Sequence, residues 1–178
     1  MSVDNSTMTR VKYEASKFQD IVMNPYIDNY RNLTKKALGG LSWRSKFCSD
    51  PEFHLSVDDD TYVDLEDLVS NHLKRLPDTD FVECSERTVV NGKVWRTGPW
   101  GVSETTYSGS KYPNYCNGPC YLMRKGTSQT LYKASQTTVS DLPIDDAYVT
   151  GILRSKLQIP LIQVKILVLI KVLDNLKF

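Results

Sequence analysis

The chain has 178 residues, enough for one hydrophobic core, so a single domain is the default. Its 22 Lys and Arg against 21 Asp and Glu leave a net charge of +1, which argues against a nucleic-acid footprint or a polybasic membrane surface. No basic-then-apolar N-terminal stretch has the form of a signal peptide or anchor, and the most apolar run, 159–173, is broken by Lys165 and Lys171 and too short to span a bilayer comfortably.

Residues 1–12 read as a disordered stretch that holds the exposed sequon Asn5-Ser6-Thr7. Next comes a helix. Tyr30, Leu33, Thr34, Ala37, Leu38, Leu41, Ser45 and Cys48 recur at three- and four-residue steps, with a possible break at Gly39-Gly40. Asn32-Leu33-Thr34 is also a sequon, but it lies on that stripe and reads as structural. Phe53-His54-Leu55-Ser56-Val57 reads as a short buried strand, and Asp58, Asp59 and Asp60 stand where it leaves the sheet. Ligands of open α/β sheets commonly bind at such carboxyl ends. Adjacent carboxylates repel, a divalent cation offsets that repulsion, and an oxygen-rich set suits magnesium or manganese. The same triplet also reads as a solvated acidic turn before a helix.

A second helix is expected over Leu65–Leu76, capped by Asp64, with Asp67 at its positive end and Pro77 as its stop. Leu65, Leu68, Val69, His72, Leu73 and Leu76 would share its apolar face. Thr88 to Trp95 reads as a hairpin about Asn91-Gly92. Trp100, Tyr112, Tyr115 and Tyr121 offer flat faces suited to sugar rings, although each alone reads equally as core, and Gly118 permits close backbone approach. Asp145-Asp146 precede an apolar, helical segment, where acids also serve as first-turn or capping residues. The four cysteines, Cys48, Cys84, Cys116 and Cys120, allow three pairings, and their spacings are unlike zinc-ligand pairs. His54 and His72 read as packed side chains. The element order is a mixed α/β pattern.

Four stretches in sequence order point to a family. They are Glu14-Ala15-Ser16-Lys17-Phe18-Gln19-Asp20-Ile21-Val22 running into Asp28-Asn29-Tyr30-Arg31-Asn32-Leu33-Thr34-Lys35-Lys36, the aspartate triplet, Tyr112-Pro113-Asn114-Tyr115-Cys116-Asn117-Gly118, and Asp145-Asp146-Ala147-Tyr148-Val149-Thr150-Gly151. Together they resemble the β-1,3-galactosyltransferase family, glycosyltransferase family 31, over residues 13–155. The resemblance implies a GT-A-like nucleotide-sugar fold with a mixed sheet. It also implies an N-terminal Golgi anchor and opening strand–helix units, which are not expected among these 178 residues. The expectation is a partial or divergent catalytic domain over 13–155, with a divergent tail over 156–178.

The chemistry implied is transfer of a hexose or N-acetylhexosamine from a UDP-sugar to a glycan hydroxyl on a glycoprotein or glycolipid. It inverts the anomeric centre to a β-1,3 linkage, in the Golgi. On the family's pattern Asp60 holds Mn2+, Asp58 faces the nucleotide's ribose or a metal-bound water, Asp59 supports both, and Asp146 is the base. Trp100, Tyr112, Tyr115 and Gly118 line the donor and acceptor pocket, and Cys116 joins a disulfide. Against the pattern, Ser56 replaces a lysine, Cys120 a glycine, Asp145 a glutamate and Ala147 a valine, and no histidine follows Asp146. The alternative is a non-catalytic homologue that binds a glycan or a partner transferase.

Overall fold

The structure is a computed structural model that describes residues 4–27, 29–84, 87–117, 119–138, 140–163 and 168–169. Residues 5–12, expected to be disordered, belong to helix α1 (Asn5–Phe18), capped by Asp4, which accepts the Thr7 N–H at 2.8 Å. No residue of α1 is buried, and Asn5 is exposed as expected. A 3₁₀ turn (Tyr30–Asn32) leads into helix α2 (Leu33–Phe47), which runs unbroken through Gly39-Gly40. The Asn24 side chain packs against Gly39, where a Cβ would lie 2.6 Å from it and the amide would have to move aside. The Asn32 amide donates to the Ile27 carbonyl at 2.8 Å, which agrees with a structural role for that sequon.

The central sheet has the order β1 (Phe53–Val57), β6 (Cys120–Arg124), β3 (Val82–Cys84), β7 (Leu161–Gln163). β6 runs antiparallel to both β1 and β3, and β7 runs parallel to β3, so the sheet is mixed, as expected. Side chains alternate across it. Tyr121 and Met123 join the main core with Leu41 of α2 and Leu131 of helix α4 (Lys125–Thr137). Leu122 turns to the other face and packs with Leu68, Phe53 and Leu55. β1 is the sheet's outer strand here and only half-buried, a correction to the buried strand expected. Of the expected tail, Leu161–Gln163 form β7, β8 (Val168–Leu169) pairs with β2 (Tyr62–Val63), and 164–167 and 170–178 lie outside the described residues.

The second helix, α3, begins as expected, with Asp64 accepting the Asp67 N–H at 2.9 Å. It is composite: an α turn (Leu65–Asp67), a π segment (Leu68–His72) and a 3₁₀ turn (Leu73–Arg75). The wide π turn changes the residue period, so the expected stripe splits. Leu68 is buried, whereas Leu65 and Val69 are exposed. His72 is packed, with a partner the sequence did not reveal. Its Nε2 lies 2.9 and 3.0 Å from the two oxygens of Glu83, which is wholly buried on β3.

The Asn91-Gly92 hairpin is also corrected. β4 (Arg87–Val89) pairs with β5 (Tyr115–Asn117), and Lys93 stands opposite Lys111 in the same register. Residues 87–93 are therefore one arm of a longer hairpin whose other arm is 111–117. Asn91, at φ +48°, is a kink within that arm, and its N–H is taken by the Asn114 side chain at 3.0 Å. The disulfide Cys84–Cys116 ties this hairpin to β3, with Cα atoms 5.0 Å apart. It includes Cys116, as the resemblance implies, and Cys48 and Cys120 take no part in it.

Candidate active site

The acidic triplet follows β1 at the point where β6 begins. Asp58 donates its N–H to the Pro119 carbonyl at 2.8 Å, and Thr61 closes the turn by donating to the Asp58 carbonyl at 3.1 Å. The three side chains reach solvent. Even so, partial burial holds the Asp58 carboxyl above the usual carboxylate range; Asp145 is the next cause, ahead of Asp60 and Asp59, and Lys36 offsets part of the rise. An acid 87 positions away thus acts on Asp58 more strongly than its own neighbours do. The fold brings the triplet and the late acidic pair to one place.

The pair opens helix α5, a π segment (Ala147–Leu153) that continues into Arg154–Lys156. Tyr148 donates its N–H to Ile144, so Asp145 and Asp146 lie in the first helical turn, the position that suits acids on electrostatic grounds alone. The Asp145 carboxyl is raised, chiefly by burial, against which its own N–H and that of Asp146 act as donors. Thr150, fully buried, locks the turn from behind: its hydroxyl donates to the Asp146 carbonyl at 2.7 Å and accepts the Cys116 N–H at 2.9 Å. Arg154 anchors the far side by donating to Thr150, Ile159 and Asn114 carbonyls at 2.8, 2.7 and 3.0 Å. Gly151 lets β5 come close, since a Cβ there would stand 3.1 Å from the Tyr115 Cβ. Thr34 at the start of α2 donates to Leu142 at 2.6 Å and fixes the approach to the pair.

A cleft of about 300 Å³ opens beside the pair, lined by Asp145, Asp146, Trp100, Tyr112 and Tyr115 among others. Of the expected substrate-binding residues, Trp100, Tyr112 and Tyr115 come together, and Gly118 lies outside the described residues. Tyr30, Lys93, Trp95 and Asn117 also line it and were not singled out from sequence. Tyr30 and Asn117 fall within the family-bearing stretches and Lys93 and Trp95 within the expected hairpin, which was the only sequence signal for them. Tyr121 does not line the cleft. It is buried beneath the site, hydrogen-bonded to Ser56, which stands opposite it across the β1–β6 ladder. Its hydroxyl is driven upward first by burial, with Asp145, Asp146 and Asp58 adding to the rise. Tyr112 is 4 % exposed and its phenol is pushed up to about 12, chiefly by burial.

Asp58, Asp59 and Asp60 do not line this cleft; Asp58 is linked to it through its interaction with Asp145. Among the described residues no three His, Cys, Asp or Glu side chains converge as a ready cage. A small hard cation that arrives with diphosphate and water ligands needs only one or two carboxylates, and Asp58 beside Asp60 offers that oxygen-only donor set. The neighbouring acids that raise Asp58 are themselves a reason for a cation to bind there. His54, on the strand leading to the triplet, is half-buried, and its imidazole is held down at about 4, first by burial and then by Arg44.

The sequence profile of the Galactosyltransferase family matches residues 1–165. Mouse beta-1,3-galactosyltransferase 1 is 33% identical over 151 residues, covering 81% of this chain and 44% of that protein, and the human protein of that name gives the same figures. Lactosylceramide 1,3-N-acetyl-beta-D-glucosaminyltransferase of Xenopus tropicalis is 32% identical over 161 residues, covering 86% of this chain and 41% of that protein. The chain therefore spans less than half the length of these relatives.

Proposed function

The chain belongs to the galactosyltransferase family, and from that premise we propose that it transfers a hexose or N-acetylhexosamine from a UDP-sugar to a glycan hydroxyl, forming a β-1,3 linkage. The observation that carries this reading is the meeting of the Asp58–Asp60 turn and the Asp145-Asp146 pair beside an aromatic cleft. The acceptor oxygen attacks the anomeric carbon, the bond from that carbon to the diphosphate oxygen breaks, and the configuration inverts. Asp146, within the cleft, takes the proton of the attacking hydroxyl. The Asp145 and Asp146 N–H groups donate to the Asp145 carboxylate and Thr150 holds the Asp146 carbonyl, which fixes the turn that carries Asp146, and the Trp100–Tyr112–Tyr115 wall keeps water from competing. A divalent cation, Mn2+ on the family's pattern, held by Asp60 and Asp58 would neutralise charge on the departing diphosphate.

The acceptor is a glycan on a glycoprotein or glycolipid, and the Golgi lumen is the setting. The disulfide Cys84–Cys116 fits an oxidising compartment. Among the described residues no helix is long and apolar enough to cross a membrane. A non-catalytic glycan-binding homologue is the second reading, favoured by the lack of a converged set of three metal-binding side chains among the described residues. The test is a transfer assay with UDP-galactose and UDP-N-acetylglucosamine on a panel of β-glycosides, with Mn2+ present. The transferase reading expects a β-1,3 product and a loss of about 10²–10⁴-fold in Asp146→Asn. Equal turnover by Asp146→Asn would remove Asp146 as the base, and no product from any pair would favour the second reading.

A further inference from the structure

Glu83 is wholly buried on β3, and the transfer chemistry at the cleft makes no use of it. Its neighbours Val82 and Cys84 point into the main core, so the glutamate points to the opposite face, where α3 lies. Leu122 of β6 and Ile162 of β7 stand beside it in the sheet, and Leu68 of α3 packs against Leu122. All three are apolar. Among the described residues the one charged or titratable group that acts on Glu83 is His72 of α3, and His72 has no other ion-pair partner. The contact is lopsided. Nε2 is 3.0 Å from Oε2 in a hydrogen bond and 2.9 Å from Oε1, which has no hydrogen-bond partner of its own among the described residues.

The carboxylate therefore depends on one imidazole. Its charge is balanced only while that imidazole carries a proton, and an uncompensated buried carboxylate is strongly destabilising. Burial lifts Glu83 above the glutamate value of 4.5, while the hydrogen bond and charge of His72 oppose the rise. Two features decide which side yields when the pair is upset. β3 is paired on both edges, by β6 and β7, and its Cys84 is tied to Cys116. α3 is the weaker body. It changes from α to π to 3₁₀ along its length, and it buries Leu68 but leaves Leu65 and Val69 in solvent. The π segment ends at His72, and such segments recur at functional sites.

We propose that His72 and Glu83 form a one-proton latch, which holds α3 against the sheet in acid and releases it as the proton leaves. The proposal goes beyond the glycosyl-transfer reading and does not depend on it. With one proton shared between them, the partners are an ion pair or a neutral hydrogen-bonded pair, and the core accommodates both. Loss of that proton leaves a carboxylate facing a neutral imidazole. Imidazole is the side chain whose charge ordinarily changes between about pH 5 and pH 8. The closed helix binds the proton more tightly than the open one, so its hold on the sheet weakens as pH rises. Asp64 caps α3 and Thr61 closes the acidic turn, so release of the helix reaches the segment between them.

The test is hydrogen–deuterium exchange, read by mass spectrometry on the full, oxidised chain between about pH 5.5 and about pH 7.5, with rates corrected for the intrinsic pH dependence of amide exchange. The protection of α3 should fall as pH rises, by up to about tenfold per pH unit, the limit for one proton. At the neutral end α3 should be less protected than β3 and β6, because the helix opens by itself. Glu83→Gln keeps an acceptor for the imidazole and removes the charge, so its α3 should stay protected across the range. His72→Gln should leave α3 less protected than the wild-type chain at the acid end, because the carboxylate has lost its cation. Protection of α3 that is independent of pH in the wild-type chain, or that falls equally in Glu83→Gln, overturns the proposal. So does equal protection of helix and sheet at every pH, which means that they open only together. Should Glu83→Gln fail to fold, the wild-type profile and the comparison of helix with sheet still decide.

Discussion

Thr150 connects the two halves of the candidate site through one buried oxygen, which donates to the Asp146 carbonyl and accepts from the Cys116 N–H. Replacing it with valine keeps the shape, removes both bonds and leaves the Cys116 N–H buried without its partner. Thr150→Val should cost about 1–3 kcal/mol, read from urea unfolding, because an unmade buried hydrogen bond carries the full desolvation penalty. A change within a few tenths would mean that the threonine does not hold the turn. Neither Thr150 nor Arg154 was legible as a site residue in the sequence. Their roles depend on which carbonyls stand opposite them, and that is settled by the approach of β5 to α5. The aspartates were legible because their order along the chain, with the tyrosine–proline stretch between, carries the resemblance. That Asp145 acts on Asp58 more strongly than Asp60 or Asp59 does could be known only from the fold.

At the scale of elements, the Cys84–Cys116 bond closes a 32-residue separation and joins the central sheet to the hairpin that carries Tyr115 and Asn117. Loop-closure entropy for such a span is worth about 3–4 kcal/mol. Reduction, or the Cys84→Ala/Cys116→Ala pair, should lower unfolding stability by that order, measured by urea with and without reductant. If the reduced chain unfolds at the same urea concentration, the hairpin is held by its ladder alone. The same hairpin shows where local sequence signals mislead. Asn-Gly is a strong turn signal, and Asn91 does take a positive φ. The arms on each side of it nevertheless pair with one continuous partner, and no local pattern announces a partner more than 20 residues away. The α3 stripe fails for a different reason. Its apolar residues follow an α period, but the backbone widens to a π turn at Leu68–His72 and leaves Leu65 and Val69 in solvent. The β1 strand, the cap at Asp64 and the long α2 were legible because each rests on nearest-neighbour chemistry.

Over the whole molecule, the buried acids share one sign. Burial raises Asp58, Glu83 and Asp145, with His72 opposing the rise only at Glu83. A carboxyl raised in the folded state contributes stability that is complete below its unfolded value, 4.5 for glutamate, and is lost as pH climbs through the folded value. The urea midpoint should therefore fall as pH rises above 4.5, and Glu83→Gln should flatten that fall. A steeper or unchanged slope in Glu83→Gln would mean that Glu83 is not the proton-binding group. A bound cation would act on Asp58 in the opposite sense by favouring its charged form. The account's central claim is that the Asp58–Asp60 turn, placed against Asp145 and the aromatic cleft, receives a metal-bound nucleotide sugar. The most direct measurement is a thermal-shift titration of the oxidised chain with UDP, with and without Mn2+. At about 100 times its dissociation constant a ligand adds about 2.7 kcal/mol, or roughly 5–10 °C for a domain of this size. The account predicts a Mn2+-dependent rise that disappears in Asp60→Ala; a cooperatively melting chain with no rise, or a rise that Asp60→Ala retains, would contradict it.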